Sequence, residues 1–344
     1  MLVSFIVVAL NAGDKLNNLI EDINSQDYEH KNIEIIFVDG NSTDNTMDVM
    51  LTFKNSTHDF SRVCILNNPN KILPCGWNIA LKESKGDVIL RVDAHSSIPN
   101  NFIRKNAERI KNGEKIVGGH RISIIDEKNS WQKTLLTAET SLFGSGIASY
   151  RRTKEEKYVS TLAHAAYSRE VFQQVGGYDE RLARTEDNEI HHRMKEAGFK
   201  FLLDPNIQSF HHARNTFSKM LKQKFLNGYW IGLTLGVSPK CFSVYHFVPL
   251  LFVLAIIGGV GLSLFGVTLP LMVLASIYLS FTFINTATSI LGKKFEICYL
   301  ILPLLFFMLH VYYGTGTLWG ILKLPFWKKK NINFVPPKIS NNIY

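Results

Sequence analysis

The chain has 344 residues, 46% of them hydrophobic, and a formal net charge of +9. That length allows one large domain or two with a substantial core, and the apolar content excludes a disordered chain. Four cysteines with no C-x-x-C spacing (Cys64, Cys75, Cys241, Cys298) argue against a disulfide scaffold or structural zinc, and the positive charge comes without a nucleic-acid recognition motif, so no nucleic-acid partner is expected.

The first stretch, MLVSFIVVALNAG, lacks a basic leader and is too short to cross a bilayer, so it reads as a buried strand rather than a signal peptide, with a helix following near Gly13. "IEIIFVDG" is a second apolar strand; it ends on Asp39, and Ser42 or Thr43 can cap the next helix. "DVILRVDAH" is a third, ending on Asp93 and His95 ahead of a helix near Asn101, with Arg91 read as a structural residue of that strand. Continuous apolar strands interleaved with helices predict an α/β domain with a Rossmann-like, mostly parallel sheet covered on both faces. Ligands of such sheets sit beyond the carboxyl ends of the strands, where Asp39 and Asp93 fall.

"ARTEDNEIHHRMKEAGFKF" reads as a loop and then an amphipathic helix, with Ile190, Met194 and Ala197 at helical spacing and Gly198 ending it. Glu186 and Asp187 stand at its start, where anions are favoured by about 0.3–1 kcal/mol. His191 and His192 are expected on its surface. "SFHHARNTF" supplies His211, His212 and Arg214. Adjacent histidines on a strand face opposite sides, so only one is expected to reach a site, with His212 preferred; Arg214 can grip phosphate bidentately.

Between Tyr245 and Leu322 the only charged residues are Lys293, Lys294 and Glu296. The runs at 245–266 and 268–291 are long enough to span a bilayer; a third at 295–322 is interrupted by Pro303, His310, Gly314 and Gly316. The expected organisation is a polar cytoplasmic domain at 1–240, a membrane region at 241–325 and a basic tail at 326–344. If all three runs crossed, Lys328, Lys329 and Lys330 would lie outside, against the positive-inside tendency, so two spans plus a re-entrant or interfacial third segment are expected.

"DGNSTDNT", "GDVILRVDAH", the pair Gly118 and Gly119, "TEDNEIHHRMKEAG" and "KQKFLNGYW" occur in an order that resembles glycosyltransferase family 2, with its GT-A nucleotide-diphospho-sugar transferase fold. Within it, the chain looks most like the membrane-associated transferases of succinoglycan-type exopolysaccharide synthesis, in which R-x-D-A-H replaces D-x-D. The likeness covers about residues 1–240, and the apolar C-terminal helices fit it.

The resemblance implies that Asp39 contacts the base or ribose of a nucleotide-sugar donor, with Ala9 and Asn11 lining that pocket, and that Asp93, His95 and a late histidine (His212) serve a divalent metal, Mn²⁺ or Mg²⁺. It makes Asp187 the general base, with Glu186 orienting acceptor or sugar. Arg214, Gln223 and Trp230 are candidates for the diphosphate or acceptor, although no Arg precedes Trp230 as processive synthases require. The implied activity is inverting transfer of a sugar, UDP-linked by expectation, to a polyprenyl-diphosphate saccharide at the inner face of a bacterial membrane, in company with membrane lipids and other polysaccharide-assembly proteins. Alternatives are a polyprenyl-phosphate glycosyltransferase, a processive synthase, or a non-catalytic nucleotide-sugar-binding scaffold.

Overall fold

The computed structural model describes residues 1–57, 59–144, 155–213, 216–330 and 334–339. It divides into two units, Met1–Ser123 with Ser149–His212 and Asn333–Tyr344, and Ile124–Ala148 with Ala213–Ile332. The division departs from the expected 1–240, 241–325 and 326–344. Residues 124–148 and 213–240 join the apolar helices, and the segment after the last helix folds with the first unit.

The first unit is built on β1 (Val3–Ala9), β2 (Ile33–Asp39), β3 (Arg62–Asn67) and β4 (Val88–Arg91), paired in parallel in the order β3-β2-β1-β4. β1 is buried at every position because its alternate side chains enter two cores. Phe5 and Val7 pack with Leu16 and Leu19 of α1 (Gly13–Asn24) and Met50 of α2 (Thr46–Ser56). Ile6 and Val8 pack with Trp77 and Leu81 of α3 (Leu73–Glu83) on the other face. Each such side chain contributes about 1.5–3 kcal/mol on burial.

Register aligns the strand ends, since Ala9 pairs with Asp39, Asp39 with Asn67, and Ile6 with Arg91. Beyond β5 (Ser96–Ser97), α4 (Phe102–Lys111) and β6 (Ile116–Ile124), the sheet becomes antiparallel. α5 (Ser130–Thr140) and β7 (Lys157–Val159) lead to β8 (Ala165–Ser168), which pairs with β4; α6 (Arg169–Val175) and α7 (Glu186–Glu196) precede β9 (Phe201–His212), which pairs with β5. These returns carry the residues just before β8 and at the end of β9 to the edge where β4 ends. At Gly119 a Cβ would lie 1.8 Å from the Ile207 carbonyl oxygen, so only glycine lets β6 approach β9 this closely.

The second unit comprises α5, α8 (Phe217–Thr234), α9 (Val248–Leu264), α10 (Leu269–Ile290) and α11 (Leu302–Lys330). Among the described residues, three stretches are long and apolar enough to cross a membrane: Val244–Leu264, Leu269–Ile290 and Ile297–Lys329. The interruptions foreseen in the third do not break it; Pro303 is tolerated in the first turn of α11, where its missing N–H is no loss, and the helix continues to Lys330. α8 and α11 run side by side through glycines: Cβ atoms at Gly228, Gly316 and Gly320 would fall 2.0–2.2 Å from carbonyl oxygens of the facing helix. The α10–α11 connection is tied to α5, with Glu296 accepting from Ser130 Oγ (2.7 Å) and pairing with Lys133 (2.7 Å).

Candidate active site

Asp39, at the end of β2, is buried. One carboxylate oxygen accepts from the Ser42 amide at 3.1 Å, and the other, Oδ1, has no hydrogen-bond partner. Ser42 and Thr43 do not cap α2 as expected; Ser42 Oγ accepts from the Asn11 amide (3.0 Å) and the Thr43 amide donates to Asn11 Oδ1 (2.8 Å). Asn11, with φ of 50°, thus joins the ends of β1 and β2 beside Ala9. Asn68, just past β3, donates its amide to the Asp39 carbonyl and keeps a second buried, unpartnered oxygen here, Oδ1.

Asp93 lies two residues beyond β4. His164, immediately before β8, is buried with Nε2 3.3 Å from Asp93 Oδ2 and from Ser96 Oγ, and Nδ1 2.8 Å from Ser209 Oγ. Burial opposes a charge on Asp93, but the hydrogen bond and charge of His164 outweigh it and hold the carboxyl well below its ordinary range. His95 meets His211, with ring centroids 4.9 Å apart. The expectation for His212 is therefore corrected: Ser96 pairs with His211, whose ring turns towards His95, and His212 is exposed. Burial, then the charge of Arg121, depress the His211 pKa.

Among the described residues no three His, Cys, Asp or Glu side chains are grouped closely enough to hold a metal ion by themselves. A carboxylate beside imidazoles nonetheless fits a cation that takes its remaining ligands from a diphosphate and water, with Mn²⁺ more at home than Mg²⁺.

Glu186 and Asp187 open α7. Arg91, expected as a structural residue of its strand, reaches the acid pair: its guanidinium lies over Trp77 (4.9 Å) and Tyr178 (5.4 Å), donates to Tyr178 Oη (2.8 Å) and pairs with Asp187 Oδ1 (2.6 Å). The Arg91 side chain is 7% exposed and that of Asp187 34%, so the carboxylate faces outward from a buried cation. Burial opposes ionisation of Asp187, yet Arg91 more than compensates and keeps its pKa low. Glu186 is buried with Oε2 unpartnered, and burial followed by the Asp187 charge raises its pKa. The neutral form is thus favoured at Glu186 and the charged form at Asp187.

His191 also departs from expectation. It is 1% exposed, hydrogen-bonded to Thr161 Oγ1 (2.9 Å) and Tyr167 Oη (3.0 Å), and edge-on to Phe201, because the fourth position after the Arg-paired Asp187 faces the sheet. Its pKa falls to about 4 through burial. Gln223 and Trp230 lie on α8 of the second unit, and Arg214 lies outside the described residues. Sequence reasoning missed His164, Asn68, Trp77 and Tyr178. Only the last two carried a signal, as large aromatics in otherwise mixed segments.

Residues 4–176, about half of the chain, match glycosyl transferase family 2. A dolichyl N-acetyl-alpha-D-glucosaminyl phosphate 3-beta-D-2,3-diacetamido-2,3-dideoxy-beta-D-glucuronosyltransferase of Methanococcus voltae is 28% identical over 329 residues, 93% of this chain and 97% of that protein. Succinoglycan biosynthesis protein ExoA of Rhizobium meliloti is 26% identical over 258 residues, 69% of this chain and 76% of that one. Among solved structures, the mannosyltransferase PcManGT of Pyrobaculum calidifontis, in complex with GDP-Man and Mn²⁺, superposes with a TM-score of 0.58 at 14% identity, over 92% of this chain and 87% of that chain.

Proposed function

Because the chain belongs to glycosyl transferase family 2 and has a GT-A fold, we propose that it moves a sugar, with inversion, from a nucleotide-diphosphate donor to a saccharide carried on a polyprenyl lipid in exopolysaccharide or cell-surface polysaccharide synthesis. The observation that carries this reading is the clustering of three differently prepared acids about one end of the sheet: Asp39 with a free buried oxygen, Asp93 between histidines, and Asp187 on Arg91. The two curated relatives, named for transfer to a lipid-linked sugar and for succinoglycan synthesis, support the acceptor class.

Asp39 Oδ1, already desolvated, is suited to accept a hydrogen bond from the base or ribose, which removes the cost of leaving it unpaired. Asp93 and His95 are the residues that would hold a divalent cation. Such a cation, when bound, supplies Lewis-acid stabilisation of the leaving diphosphate. Asp187 is placed to take the proton of the acceptor hydroxyl, and attack opposite the leaving group inverts the anomeric carbon. Glu186, neutral, can donate a hydrogen bond to acceptor or sugar.

The reading is tested by nucleotide release from a panel of UDP- and GDP-sugars by detergent-solubilised protein, with Mn²⁺ or EDTA and with or without a polyprenyl-lipid extract. Release that needs both metal and lipid is expected. Tight nucleotide binding without turnover under every condition would replace it with a binding or scaffold role.

The chain is membrane-associated, and two ties support a two-crossing topology. The connection after α10 returns to α5 through Glu296, and residues 334–339 fold with the first unit, as an even number of crossings between them and Met1–Ser123 would require. α9 and α10 are the pair, exposing apolar side chains such as Leu251, Leu254, Ile277 and Phe281. α11 packs one face on α8, which carries Lys219, Lys222 and Lys224, and exposes Leu304, Phe307, Trp319, Leu322 and Phe326 on another, as an interfacial helix does. Reporter fusions at Gly266 should report the side opposite the catalytic domain, and fusions at residues 294 and 344 the same side. A fusion at 344 reporting the far side would overturn the topology.

A further inference from the structure

We infer that the segment Phe334–Ile339 is a strap that positions the catalytic base; the inference rests on the transferase reading above. The strap begins a few residues after α11 and lies on the loop between α6 and α7. The Phe334 ring lies 5.2 Å from the Arg181 guanidinium carbon, the Pro337 carbonyl accepts from the Gly177 amide (2.8 Å), and Ile339 is 6% exposed in the core that holds Trp77 and Tyr178. Gly177 fits because it has no side chain: a Cβ there would stand 2.4 Å from Asn78 Oδ1 and 3.0 Å from Pro337 Cγ.

Two routes lead from this clasp to Asp187. The Gly177 carbonyl accepts from Arg193 Nη2 (2.8 Å), and Arg193 is locked to Glu189 on α7, the helix that Asp187 opens. Tyr178, the next residue, is fixed at its backbone by Asn78 on both sides (2.7 and 2.9 Å), and its hydroxyl accepts from the guanidinium that pairs with Asp187. Gly177 is thus gripped at its N–H by the strap and at its carbonyl by the base's own helix. A displacement of even 1 Å at a reacting group can cost about a hundredfold in rate, so losing the grip should be felt in turnover before donor binding. None of the strap contacts just described involves Asp39 or Asp93, so donor binding should be spared.

The test uses the full-length, solubilised chain, a version ending at Asn333, and the variants Ile339→Asp and Ile339→Val. The truncation and Ile339→Asp should lower kcat about tenfold or more, with donor KM within about twofold of the parent, and Ile339→Val should restore kcat. Amide exchange should accelerate at Gly177 and over Glu186–Glu189 in the truncated chain, a readout that needs no turnover. Unchanged kcat with unchanged exchange overturns the strap, as does a parallel rise in KM showing a general loss of fold. If the parent itself turns over no donor, the transferase reading fails, and the exchange at Glu186–Glu189 alone decides whether the strap holds the start of α7.

Discussion

Asp187→Asn is expected to lower kcat by about 10²–10⁴-fold with donor KM nearly unchanged, and Glu186→Gln by less than tenfold. The asymmetry follows from where the charge of the pair resides. Arg91 favours the ionised form of Asp187, while burial and that neighbouring charge favour the protonated form of Glu186, so an amide in place of Glu186 preserves its neutral form and an amide in place of Asp187 removes the base proposed above. Steady-state kinetics on the two variants with a single donor checks this. Equal losses would mean the proton passes through Glu186. Near-wild-type turnover in Asp187→Asn would instead favour an acceptor that is already anionic, a lipid phosphate, which needs no base.

The same asymmetry has a pH signature. An acid whose folded pKa is raised binds its proton more tightly in the folded chain, so its favourable contribution is complete below the ordinary carboxylate range and is lost as pH rises towards the raised pKa. Asp187 acts in the other direction, its contribution present above its ordinary pKa and lost as pH falls through the lowered one. Wild-type melting temperature should therefore decline on the alkaline side of the carboxylate range, and Glu186→Gln should flatten that decline.

What could be read from the sequence was local. Strand ends, turns and helix starts are set within about ten residues, which is why Asp39, Asp93 and the acid pair of α7 were recognisable at their places in chain order, and why the apolar runs announced a membrane. The partners of those acids come from far along the chain. His164 reaches Asp93 because β8 returns antiparallel beside β4, and the choice between His211 and His212 depends on the pairing of Ser96 with β9. Neither register is encoded by hydrophobic alternation in strands of two and four residues. The strap is further removed still, since nothing in FVPPKI distinguishes a docked segment from a free one until Gly177 and Asn78 are seen beneath it.

Arg91→Lys should be nearly as damaging as Arg91→Met, with kcat down about a hundredfold and a lower melting temperature in both. A guanidinium between two aromatic rings serves four contacts at once: its face meets Trp77 and Tyr178, and its edge reaches Tyr178 Oη and Asp187 Oδ1. An ammonium keeps the charge but lacks the flat face that meets both rings, and it is hydrated more strongly, so burying it costs more. Arg91→Met packs well yet leaves the Asp187 carboxylate without its cation; breaking a buried pair from one side costs about 3–5 kcal/mol, and less here because Asp187 is a third exposed. Its pKa then rises, so the acid limb of the kcat/KM profile should move up in Arg91→Met and hardly at all in Arg91→Lys, where a positive charge remains. If Arg91→Lys retained full turnover, charge alone would suffice at this position, and the stacked geometry would belong to the core rather than to the base.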